Sequence, residues 1–81
     1  MKRTPRSAEV RNFPSKDGTK CYSVSIRDDG FYEIYVDRLI FDPDEDVNYW
    51  SMSLPQPSLF GSVEDAEKEL FSQFGLDIIS N

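Results

Sequence analysis

The chemistry open to this chain is mostly carboxylate chemistry, since it carries 15 Asp and Glu. The densest group is Asp42-Pro43-Asp44-Glu45-Asp46. Asp42, Asp44 and Asp46 fall at the first three ligand positions of a calcium loop. The rest of that motif is missing. Val47 stands where the turn glycine belongs, and Ser53 where the bidentate glutamate belongs. The segment reads as a solvated acidic loop, and no metal or cofactor is expected.

Other chemistries close quickly. The chain has no histidine, which removes Ser-His and Cys-His nucleophile pairs, imidazole acid–base work and His-ligated metals. Cys21 is the single cysteine, so no internal disulfide forms, and a reducing, cytoplasmic setting is expected. No glycine-rich phosphate loop or nucleophile motif is present. The carboxylates have no complementary group placed beside them by sequence, and an acid–base pair needs tuned environments. A non-enzyme is the expectation. No apolar run approaches the ~20 residues of a membrane span, and the basic start lacks the apolar stretch of a secretory signal.

Charge divides the chain. Residues 1–20 carry six basic and two acidic side chains, a net of +4, and residues 21–81 carry three and thirteen, a net of −10. Lys2, Arg3, Arg6 and Arg11 make the start a candidate phosphate-binding arm. Pro5 and Pro14 forbid a long helix there. Residues 1–14 are expected to be a partly flexible arm, mobile over the first seven residues, with a short edge strand at Glu9–Phe13 as an option. Residues 15–81 are expected to form a single domain.

These groups must be positioned by a β-hairpin over Lys20–Phe41. Tyr22, Val24 and Ile26 alternate with polar residues, as do Tyr32, Ile34 and Val36, and a period of two means strand. A three-residue loop, Asp28-Asp29-Gly30, sets Ile26 opposite Tyr32, Val24 opposite Ile34 and Tyr22 opposite Val36. A slip of one residue would mix the faces. The loop puts Gly30 at the left-handed position of a type I turn plus bulge. Val47–Leu54 reads as a third strand with Trp50, Met52 and Leu54 on the apolar face, ended by Pro55 and Pro57. Leu59 and Phe60 are expected to plug the sheet edge.

Ser62 is an N-cap with Asp65 three residues on. Val63, Ala66, Leu70 and Phe74 give the helix behind it one apolar face. Gly75 reads as a left-handed stop with Leu76 packed after it, and Ile78 and Ile79 as a tail that docks on the sheet. The fold class is α+β: a three-stranded, optionally four-stranded, antiparallel sheet with one C-terminal helix on one face. The expected core is Tyr22, Val24, Ile26, Tyr32, Ile34, Val36, Trp50, Met52, Leu54, Val63, Ala66, Leu70 and Phe74.

One helix covers one face, so the other is expected to stay open. It would carry Phe31, Glu33, Tyr35, Asp37, Tyr49 and Ser51, aromatics among acids. Of these, Phe31, Glu33, Tyr35, Asp37 and Tyr49, together with Asp42, Asp44, Glu45 and Asp46, are the candidate protein-binding residues. The function expected is a small acidic, non-catalytic protein-interaction module, an inhibitor or accessory protein of the kind phages and mobile elements encode. Its partner would be a protein with a basic surface, because the acidic body repels nucleic acid and anionic lipid. A monomer, or a weak homodimer through the open face, is expected. The alternative is a nucleic-acid accessory protein using Lys2, Arg3, Arg6 and Arg11. The strand–strand–strand–helix layout resembles the DNA-binding domains of some integrases and plant transcription factors. That resemblance is architectural only, since those domains read DNA with basic strand faces.

Overall fold

The computed structural model describes residues 3–51 and 53–78. Four strands, β1 (Glu9–Pro14), β2 (Lys20–Ile26), β3 (Tyr32–Asp42) and β4 (Val47–Ser51), form one antiparallel sheet in the order β1-β2-β3-β4. Helix α1 (Val63–Phe74) lies across one face. The arrangement is α+β, as the sequence pattern implied.

The central hairpin has the expected register. Ile26 pairs with Tyr32, Val24 with Ile34 and Tyr22 with Val36. Arg27 N–H donates to the Phe31 carbonyl at 2.7 Å, and Gly30 takes φ +88. A side chain is strained in that left-handed backbone, which is why glycine stands there. Residues 9–14, grouped by charge with the arm, form an edge strand on β2, with a register shift between Glu9 and Arg11.

The core lies between β1–β3 and the helix. Tyr22, Val24, Ile34, Ala66, Leu70 and Ile78 are buried, with Phe13, Tyr32, Val36, Phe60, Val63 and Phe74 packed around them. Phe74 stacks on Tyr22 with ring centroids 4.7 Å apart, and Phe71 meets the edge of Phe13 at 4.8 Å. Ser62 caps α1 by accepting from Asp65 N–H at 3.2 Å.

Several sequence expectations need correcting. Gly75 is right-handed (φ −57, ψ −31), so the helix runs on into a 3-10 turn, and Leu76 is 94% exposed instead of packed. The turn delivers Ile78 into the core, where it bridges to Ser15. Ile79 and Met52 lie outside the described residues. Ile26 and Leu54, both expected inside, are exposed. Ile26 sits at the loop end of the hairpin, and Leu54 lies three residues beyond the end of β4. Phe60 bridges to Tyr32 and lines the core, whereas Leu59 remains exposed.

The phase of the third predicted strand also differs. Asp42 pairs with Val47, so Ile40 opposes Tyr49, Leu39 opposes Trp50 and Arg38 opposes Ser51. Directly opposed residues share a face. Tyr49 and Ser51 therefore lie on the helix side of the sheet, and Trp50 lies on the other. Among the described residues, no helix is long and apolar enough to cross a membrane.

Candidate functional site

The sheet face away from the helix is covered, not open. Its rungs are built by alternation on the central strands. Ser25 lies between Glu9 and Glu33, Ser23 between Asn12 and Tyr35, and Cys21 between Pro14 and Asp37. Residues 3–8 cross these rungs and bring Arg3 and Arg6 onto the carboxylates.

Asp37 is the centre of this cluster. It is fully buried and accepts from Arg3 Nη1 at 3.0 Å and from both Nη atoms of Arg6 at 2.8 Å. Ser53 N–H donates to it at 3.3 Å. Arg3 Nη2 also donates to both carboxylate oxygens of Glu9, at 2.7 and 2.6 Å. Two largely covered cations thus face two largely covered anions, so that each charge withdrawn from water meets an opposite one. The Arg6 guanidinium also stacks on Tyr35, 3.7 Å from the ring centroid.

The titration behaviour follows. Burial alone would push the Asp37 carboxyl up, but hydrogen bonds from Arg6 and Ser53 and the charges of Arg6 and Arg3 outweigh it and hold the group below its ordinary range. The Tyr35 hydroxyl is raised, first by its hydrogen bond to Glu33 and then by burial. Burial pushes the Cys21 thiol up, which keeps it protonated and unreactive.

The candidate protein-binding residues are scattered by this arrangement. Asp37 and Glu33 are buried, the latter 3.4 Å from Arg27, and Tyr35 lies under Arg6. Phe31 is exposed at the hairpin end. Tyr49 is exposed on the opposite face. Asp44, Glu45 and Asp46 are exposed at the β3–β4 turn, and Asp42 is half-buried there. Asp42 accepts from Asp44 N–H at 3.0 Å, so its carboxylate organises the turn. Among the described residues no three potential ligands are arranged to hold a metal ion.

The candidate nucleic-acid residues fare differently. Arg3 and Arg6 are turned inward onto acids. Arg11 is exposed and pairs with Glu67 at 3.0 Å. Lys2 lies outside the described residues.

Sequence reasoning missed two features. One is the arm as a cover for the second face. The signal was the Arg3-x-x-Arg6 spacing next to a strand carrying an inward Asp37. The other is the β3–β4 ribbon. Beyond Arg38, strand β3 has β4 as its partner and leaves β2 behind. This ribbon exposes Ile40, Phe41, Val47 and Tyr49 and ends in the acidic turn. Beside it, Val36, Arg38, Ile40, Ser51, Leu54 and Gln56 line a hollow of about 380 Å³.

Protein families, curated proteins and solved structures were all compared with this chain, and none matches it.

Proposed function

We propose that this chain is a non-catalytic protein-interaction module that works in the cytoplasm and binds a basic protein partner through the β3–β4 ribbon. The observation that carries this reading is the pairing of exposed apolar side chains with an acidic tip. Ile40, Phe41, Val47 and Tyr49 are between 37% and 54% exposed, next to Asp44, Glu45 and Asp46. None of them belongs to the core cluster; Ile40, Val47 and Tyr49 share one face of the ribbon and Phe41 lies on the other, and exposed apolar side chains rimmed by charge are the usual composition of an interface. Strand β4 is also the last strand of the sheet, and an edge strand can serve as a template for an added strand. The acidic tip would steer a basic partner and set its orientation.

The nucleic-acid alternative draws less support. A phosphate-binding arm needs free cations, and Arg3 and Arg6 already face Asp37 and Glu9.

The test is affinity capture with two full-length variants, Ile40→Ser/Tyr49→Ser and Asp44→Asn/Glu45→Gln/Asp46→Asn. Both sets lie outside the core, so stability should change by no more than about 0.5 kcal/mol per site. Both variants are expected to lose the same basic protein that the wild type retains. Undiminished recovery with the first variant rejects the ribbon as the binding element. A band that proves to be a second copy of the chain points instead to dimerisation through β4.

A further inference from the structure

Three observations on the second sheet face converge. First, two guanidinium groups, spaced Arg3-x-x-Arg6, are held there by buried acids and an aromatic ring. Asp37 takes a forked pair from Arg6, the two Nη atoms of Arg3 span Asp37 and Glu9, and Tyr35 stacks under Arg6. Planar forked recognition of this kind selects arginine over lysine. Second, the face holds unused polar capacity. The hydroxyls of Ser23 and Ser25 are buried on it, at 0% and 4% exposure, with no hydrogen-bond partner among the described residues. Third, the arm does not fill the face. A hollow of about 510 Å³ lies on one side of it, where Ser25, Glu33 and Tyr35 meet Arg6. A second, of about 210 Å³, lies where Arg3 and Pro5 meet Cys21 and Trp50.

We propose that Glu9, Tyr35, Asp37 and Ser53 form an arginine-recognition site for an arginine-bearing segment of a partner protein, and that Arg3 and Arg6 occupy it as a resident, displaceable ligand. The arm is tied down chiefly by its side chains. Its backbone bonds lie at its root, where Ile26 N–H donates to the Ala8 carbonyl and Glu9 N–H to that of Arg6. Lifting residues 3–6 therefore gives up guanidinium contacts that a second arginine pair remakes atom for atom. Direct exchange is close to neutral, so the arm holds the site through its effective concentration, on the order of millimolar for a short tether. A partner segment prevails by making contacts the arm lacks, and the two serine hydroxyls and flanking hollows offer them. The site is on the opposite face from Ile40 and Tyr49 and stands or falls apart from the ribbon.

The test uses the full-length chain with Arg3→Gln/Arg6→Gln, titrated with the peptide Arg-Thr-Pro-Arg-Ser-Ala and followed by amide NMR. Saturating shifts are expected at Glu9, Tyr35, Asp37 and Ser53, at a peptide concentration at least about tenfold below that needed for the wild type, whose arm competes in cis. The control peptide Gln-Thr-Pro-Gln-Ser-Ala should produce no such shifts. If the variant is unfolded alone, the arginine peptide is expected to restore its dispersed spectrum. Equal response of variant and wild type, shifts confined to the Asp42–Asp46 loop, or an unfolded variant that the peptide does not restore each overturn the proposal.

Discussion

Replacing Asp37 by Asn tests whether the buried charge cluster holds the arm. Asp37 accepts three charge-assisted bonds from Arg3 and Arg6 and one from Ser53 N–H. Asparagine keeps one acceptor oxygen but turns an NH₂ toward two guanidinium groups. Removing one member of a buried ion cluster costs about 3–5 kcal/mol. Here the cations sit on an arm that can swing into water, so the lower end, about 3 kcal/mol, is expected. For a domain this small, each kcal/mol moves the melting point by roughly 4–8 °C, so Tm should fall on the order of 10–25 °C. Urea denaturation followed by near-UV circular dichroism measures it. The pH dependence supplies a control. The folded state holds Asp37 below its ordinary carboxylate range. Its contribution is therefore present above the unfolded value of about 4 and is lost as the pH falls below that. The wild type and Asp37→Asn should converge in acid. A cycle with Arg6→Gln should give a coupling of at least about 1.5 kcal/mol at neutral pH. A variant within about 0.5 kcal/mol of wild type at pH 7, or a gap that persists unchanged into acid, would refute the account.

Other outcomes are expected elsewhere. Burial, aided by the hydrogen bond from its hydroxyl to Asp77, raises Tyr22 to about 12. Its contribution is complete below about pH 10 and is lost as the pH rises from there through 12. Denaturation at pH 9 and 11.5 should show that loss for the wild type and little of it for Tyr22→Phe. Leu70 is fully buried, so Leu70→Ala should cost about 2–5 kcal/mol, whereas Leu76→Ala should stay within about 0.5. A large loss for Leu76→Ala would contradict the right-handed Gly75. Gly30 has open space around it and φ +88, so Gly30→Ala should cost about 1 kcal/mol from backbone strain alone, read by urea midpoint.

The hairpin was legible because alternation and the loop-length argument constrain the same register, and only one register gives an uninterrupted apolar face. The capped helix was legible because its signals are local. The phase of β4 was not. Val47, Tyr49 and Ser51 alternate with Trp50 and Met52, so both phases present apolar groups. What decides is the four-residue connection between the paired Asp42 and Val47. Hydrophobicity favoured Trp50 for the core, but the helix packs on β2 and β3 and leaves the ribbon uncovered. Tyr49 was consequently placed on the wrong side of the sheet. The arm was misread for a different reason. A basic segment beside an acidic body can extend into water or fold back, and composition does not distinguish the two. The decision rests on Asp37, whose inward carboxylate would be costly to bury alone. Gly75 shows the same limit on a smaller scale: the residue permits a left-handed stop, but burial of Ile78 requires the chain to keep turning.

Strand β3 is paired with β2 between helix and arm as far as Arg38, and beyond that it runs beside β4 with one remaining tie, from Leu39 N–H to the Thr19 carbonyl. It is one continuous eleven-residue element with two mechanical regimes, a beam fixed at one end. The free end can twist to suit whatever it meets, because doing so disturbs no packed side chain at the root. The ribbon can thus trade rigidity for fit at no cost to the stability of the domain behind it.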